Sequence, residues 1–147
     1  MKFKVESVNV SELKSVQKHS VEEIELVENH GIKGDAHTGN WHRQVSLLAD
    51  EAVDLLRKKN PGMELKPGAF GENILTRGID RTRVKIGGSV VINGVVMEVT
   101  QIGKVCHDRC AIYDQAGECI MPSHGIFTRV LKGGKISAED SGYYRFG

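Results

Sequence analysis

Asn93-Gly94 sits between two runs of β-branched and apolar residues, Val90-Val91-Ile92 and Val95-Val96-Met97-Glu98-Val99. A two-residue type I′ turn needs positive φ at both central positions, and Asn-Gly supplies them at little steric cost. The segment 90–99 therefore has to be a hairpin, and the chain has to contain a sheet that receives it. Composition points the same way. The chain holds 17 glycines against four Phe, three Tyr and one Trp in 147 residues. Each glycine inside a helix costs roughly 0.5–1 kcal/mol, so so many argue for turns joining short strands around an aliphatic core.

Further strand-like segments follow from apolar patterning. Residues 2–10 carry Phe3, Val5, Val8 and Val10, an alternation that slips one step between Val5 and Val8, as a bulged strand would. Residues 21–27, 72–76, Val84–Ile86, 125–131 and a short piece near Ile136 complete the expected set. One helix stands out, near residues 49–59. Asp50 and Glu51 open it, Ala52, Val53, Leu55 and Leu56 form its apolar stripe, and Arg57, Lys58 and Lys59 close it before Pro61-Gly62. One helix among roughly seven or more short strands predicts a mainly β fold, a barrel with a helical excursion.

Lys+Arg total 20 and Asp+Glu 19, a net charge of +1 that gives no basic footprint for nucleic acid. No run approaches the ~20 apolar residues that cross a bilayer, and MKFKVESVNV has no signal-peptide core. The expectation is a cytoplasmic protein with neither nucleic-acid nor membrane partners.

Three clusters could carry chemistry. Residues 101–127 hold all three cysteines, Cys106, Cys110 and Cys119, with Lys104, His107, Arg109 and His124. The second hairpin strand runs straight into this segment, which places Cys106 just past a strand end. Lys104, His107 and Arg109 flank Cys106, and positive neighbours favour the thiolate, the nucleophilic and metal-binding form. Burial as small hydrophobes is the plain alternative for these cysteines. A zinc shared by Cys106, Cys110 and Cys119 is another, although C-x₃-C-x₈-C lacks the second ligand pair of common structural sites.

The second cluster is His30-Gly31-Ile32-Lys33-Gly34-Asp35-Ala36-His37 with Trp41-His42-Arg43. Glycine turns there can bring amides, Lys33 and Arg43 towards an anion, while a solvated loop is the alternative. It is not a P-loop. The third cluster, Lys66-Pro67-Gly68-Ala69-Phe70-Gly71-Glu72-Asn73, presents Glu72 and Asn73 at a strand start or uses them to cap a turn.

In this order the clusters resemble the MOSC domain, the module related to the C-terminal part of molybdenum cofactor sulfurases. The matching blocks are GIKGDAH (31–37), HRQVSLL (42–48), PGAFGENI (67–74), IGGSVVING (86–94), VTQIGKVCH (99–107) and GIFTRVLKGG (125–134). They span nearly the whole chain and are most similar to the short, stand-alone bacterial branch. The resemblance implies a single MOSC domain over 1–147, a MOSC-type β-barrel, and one key cysteine, here Cys106. It implies molybdenum cofactor (molybdopterin) binding, with Cys106 carrying sulfur as a persulfide or ligating molybdenum. In that picture Lys104 and His107 support the Cys106 thiolate and Cys110 resolves a persulfide. Lys33, Gly34, Asp35, His37, His42 and Arg43 hold the pterin phosphate, and Glu72 and Asn73 hydrogen-bond the pterin edge. No pyridoxal phosphate site is present in the blocks, so sulfur comes from an external cysteine desulfurase or other donor. Molybdoenzymes or cofactor biosynthesis proteins are the implied partners. Other branches place Pro-Arg ahead of the cysteine; here Ile102-Gly103-Lys104 stands there, so that arginine's role does not transfer. A non-catalytic molybdopterin-binding module and a zinc-stabilised scaffold are the alternatives.

Overall fold

The computed structural model describes residues 1–103 and 120–146. The strands are β1 (Lys2–Val10), β2 (His19–Val21), β3 (Glu23–Val27), β4 (Gly31–Ile32), β5 (Val45–Ala49), β6 (Ile74–Arg77), β7 (Ser89–Ile92), β8 (Val95–Ile102), β9 (Ile126–Lys132), β10 (Gly134–Ser137) and β11 (Ser141–Arg145). Helix α1 spans Asp50–Lys59, and a single helical turn, α2, spans Met121–His124.

The large sheet runs β11-β7-β8-β9-β5-β6-β1-β2, and β11 also pairs with β1. That extra pairing closes seven strands into a barrel and leaves β2 as an outlying strand on β1. A ring of seven cannot alternate direction all the way round, so at least one neighbouring pair must be parallel. Here it is β5–β6, joined at Leu47↔Ile74, while the other ring pairs are antiparallel. Parallel neighbours need a long crossover, usually helical, which is why α1 lies between β5 and β6.

The crossover makes β5 buried on both faces. Val45 and Leu47 join the barrel interior with Val5, Ile74, Ile92, Met97, Val99 and Ile126. Leu48 faces outward against Ala52, Val53 and Leu56 of α1, with Phe70, Leu75 and Phe127. A second sheet, β10-β3-β4, packs Ile24, Leu26, Ile32 and Ile136 into the same interior cluster as the barrel.

The hairpin forms as expected, with Asn93 and Gly94 at φ 50° and 80°. The β1 slip also appears, as a register shift between Val5 and Ser7 against β6. Two expectations need correction. Residues 21–27 do not form one strand; the chain breaks at Glu22, so that β2 pairs with β1 while β3 pairs with β10. Val84–Ile86 is not a strand, because the Tyr144 hydroxyl takes both the amide and the carbonyl of Lys85 (2.9 and 3.1 Å). Strands β4, β5 and β11 lie outside the expected set.

Candidate functional site

The histidine-rich loop between β4 and β5 is organised from within by Asp35. Its carboxylate accepts hydrogen bonds from the Ser11 amide (3.0 Å), the Lys18 ammonium (2.8 Å) and the His37 amide (3.1 Å). The side chains of Asp35 and Lys18 are 0% and 1% exposed. Burial alone would raise the Asp35 carboxyl. The Lys18 and Ser11 donors pull it the other way, and the group is held well below the usual carboxylate range. Asp35 is therefore a buried anion that fixes the loop on the segment 11–18. Sequence reasoning missed Lys18, because nothing in KSVQKHS separates it from the neighbouring Lys14.

Outside this pair the loop gathers rings and cations. The Trp41 indole donates to the His37 carbonyl (2.8 Å), and the two rings lie parallel within 4° at 6.5 Å. His42 meets Trp41 edge-on at 5.7 Å. The Lys14 ammonium and the Arg43 guanidinium lie 5.6 and 4.8 Å from the indole centroid. Arg43 also stands 5.8 Å from the Phe127 ring, and its buried Nε has no hydrogen-bond partner among the described residues. Gln44, beside Arg43 at the end of the loop, is fully buried. It donates to the Gly39 carbonyl (2.9 Å) and accepts from the Val130 amide (3.0 Å), tying this loop to β9. Lys33 and Gly34 are exposed at the start of the loop.

Strand β8 ends against this loop. The Thr100 hydroxyl reaches the carbonyls of His42 and Phe127, and Gly103 donates to the Gly125 carbonyl (2.7 Å). The chain then enters the segment 104–119. Lys104, Cys106, His107, Cys110 and Cys119 all belong to it and lie outside the described residues. Among the described residues no group of three His, Cys, Asp or Glu side chains could hold a metal ion.

The third cluster lies beneath the second. Glu72 is buried and turns back on its own loop, accepting from the Gly68 amide (2.8 Å) and the Phe70 amide (3.1 Å). Burial pushes its carboxyl up to about 7 against the pull of these two amides. Asn73 accepts from the Ser46 amide (3.0 Å) and donates to the Asn9 carbonyl (3.2 Å), which stitches β6, β5 and β1. Gly68 sits at φ +87°, and a Cβ there would fall 2.2 Å from the Lys18 carbonyl oxygen. The Lys18 amide in turn donates to the Gly68 carbonyl (2.9 Å). The loop 66–71 thus backs Lys18, which holds Asp35.

The structure therefore brings His37, His42 and Arg43 together around Trp41, beside the end of β8. Asp35, Glu72 and Asn73 form the buried support, with their polar atoms engaged inside the fold. A half-exposed cationic and aromatic loop, in which the buried Arg43 Nε has no partner among the described residues, suits a planar anionic ligand, since guanidinium presents several donors to oxyanions and aromatic faces accept stacking.

Comparison with known proteins adds the following. A family model described as the MOSC domain matches residues 34–142. The chain is similar to the YuaD protein of Bacillus subtilis, at 18% identity and TM-score 0.80, covering 100% of this chain and 98% of that one. It is similar to YiiM of Geobacillus stearothermophilus, at 18% identity and TM-score 0.74, covering 97% of this chain and 74% of that one. It is also similar to YiiM of Escherichia coli, at 19% identity and TM-score 0.72, covering 100% and 71%. At these identities the likeness establishes the fold. No curated protein matches the sequence.

Proposed function

The chain belongs to the MOSC domain family, a family linked to molybdenum-cofactor-related functions, and from that premise we propose that it binds the molybdenum cofactor beside the loop 33–43 and presents Cys106 to it. The observation that carries this reading is the contact of the His42 carbonyl with Thr100, near the end of β8, with Arg43 set over the Phe127 ring of the neighbouring β9. Thr100 lies six residues before Cys106 in the sequence.

Arg43, whose Nε has no hydrogen-bond partner among the described residues, and Lys33 hold the phosphate of the pterin. Trp41 offers a ring face to a flat ligand, and His37 and His42 add donors. Asp35, Glu72 and Asn73 support this surface from behind rather than touching the ligand. When bound, the cofactor supplies a molybdenum centre that a soft thiolate can ligate or deliver sulfur to. In the sulfur-carrier form of the proposal, the Cys106 thiolate attacks the terminal sulfur of a donor persulfide. The donor's S–S bond breaks, its thiolate leaves, and Cys106 becomes the persulfide. Lys104 and His107, adjacent in sequence, favour the thiolate, and Cys110 resolves the persulfide by disulfide formation with release of the terminal sulfur as hydrosulfide. The donor is an external cysteine desulfurase or another persulfide protein.

Mass spectrometry after incubation with a cysteine desulfurase and cysteine tests the carrier. One added sulfur on Cys106, absent from Cys106→Ala, supports it; equal labelling in both proteins contradicts it.

A further inference from the structure

Lys18 is a lysine ammonium with 1% side-chain exposure, set behind the loop rather than on it. Besides Asp35 at 2.8 Å, its Nζ reaches His37 Nδ1 at 3.2 Å. An ammonium has hydrogens and no lone pair, so it can only donate. Nδ1 must therefore accept, and a neutral imidazole that accepts at Nδ1 carries its proton at Nε2. The competing arrangement, Nδ1–H towards Asp35, is disfavoured by distance. His37 Nδ1 lies 3.5 Å from Asp35 Oδ2, and that oxygen already takes the His37 amide at 3.1 Å. The ring is held in place by its parallel neighbour Trp41, which is bonded to the His37 carbonyl. The His37 side chain is 30% exposed, so one edge is locked into the buried pair while part of the ring is open to solvent.

We infer that buried Lys18 fixes His37 in the Nε2–H tautomer, so that His37 offers one N–H donor to an oxyanion bound at the loop 33–43. The inference rests on the reading of that loop as an anion site. Lys18 is a positioning residue here: it reaches the ligand only through His37. A buried ammonium donating to Nδ1 from behind the ring converts a histidine that could accept or donate into one that only donates from Nε2. That selects phosphate-type oxygens over ligand hydrogens.

Nitrogen shifts of the His37 ring in the ¹⁵N-labelled full chain test this. At neutral pH the expected pattern is a pyridine-type Nδ1 and a pyrrole-type Nε2. Lys18→Met reverses it as Nδ1–H turns to Asp35, while Lys18→Arg, which keeps a donor, retains it. Titration with inorganic phosphate shifts the wild-type Nε2–H resonance, and Lys18→Met weakens that response by about ten-fold, as loss of a charge-assisted hydrogen bond would. A pyrrole-type Nδ1 in the wild-type protein overturns the inference even if Lys18→Met fails to fold. An unchanged tautomer in folded Lys18→Met overturns the role of Lys18. Phosphate shifts at Arg43 without any at His37 overturn the ligand-facing role of His37 alone. Silence at both residues overturns the anion-site reading itself.

Discussion

Asp35 and Lys18 exchange solvent for one another, and such a pair is worth most when it is broken. Asp35→Asn leaves a buried ammonium without its counterion, and the expected loss is about 3–5 kcal/mol in urea unfolding. Lys18→Met with Asp35→Asn is expected to lose less than the two single changes summed, because neither charge is then stranded. The pH dependence has a definite sign. The Asp35 carboxyl is depressed in the fold relative to its ordinary 3.8, so its contribution is complete above that value and is lost as pH falls below it. Glu72 acts the other way. Its carboxyl rises from an ordinary 4.5 to about 7 in the fold, so the folded state holds the proton that the unfolded state has released. Stability should therefore fall as pH rises from about 4.5 to about 7, by up to about 1.4 kcal/mol per unit, and Glu72→Gln should flatten that slope. Urea midpoints at a series of pH values check both signs. The residue types at 35 and 72 were visible in the sequence, but their burial was not. A carboxylate in a glycine-rich loop reads equally as ligand or as internal cap, and the three-dimensional packing of loop 66–71 on Lys18 decides it.

At the scale of elements, local rules worked where the signal is local. Asn93-Gly94 fixed its hairpin, and the acidic start, apolar stripe and basic end of 50–59 fixed α1, because each depends on neighbours within a turn or two. They failed where long-range pairing decides. Strand β11 carries Ser141-Gly142-Tyr143-Tyr144-Arg145, with one buried tyrosine and no aliphatic alternation, yet it pairs with both β7 and β1. Val84–Ile86 has the β-branched pattern of a strand, but Tyr144 from β11 captures the Lys85 backbone. These two errors are one event seen from both sides. Tyr144→Phe should therefore cost about 1–3 kcal/mol, since both Lys85 groups lose their partner. Thermal unfolding of that variant measures it, and a change of only a few tenths would show that water replaces the hydroxyl freely.

For the whole molecule, an odd ring of strands required one parallel pair, and its helical crossover sets β5 between two apolar layers. The loop preceding β5 is thereby held against β9 through Gln44 and against the end of β8 through Thr100. The adjacency of the second cluster to β8 and β9 follows from strand order β8-β9-β5, which no local pattern encodes. Glu72 and Asn73 were expected at the ligand, and they instead share one buried network with Asn9 and Ser46. The central claim is that this face holds the molybdenum cofactor with the help of Arg43 and Cys106. Molybdenum and pterin content of the full chain, purified from cells that make the cofactor, tests it most directly. The account predicts both in near-equal amount to protein, a marked loss in Arg43→Ala, and loss of molybdenum in Cys106→Ala. Wild-type protein free of both, or equal loading in all three proteins, would contradict it.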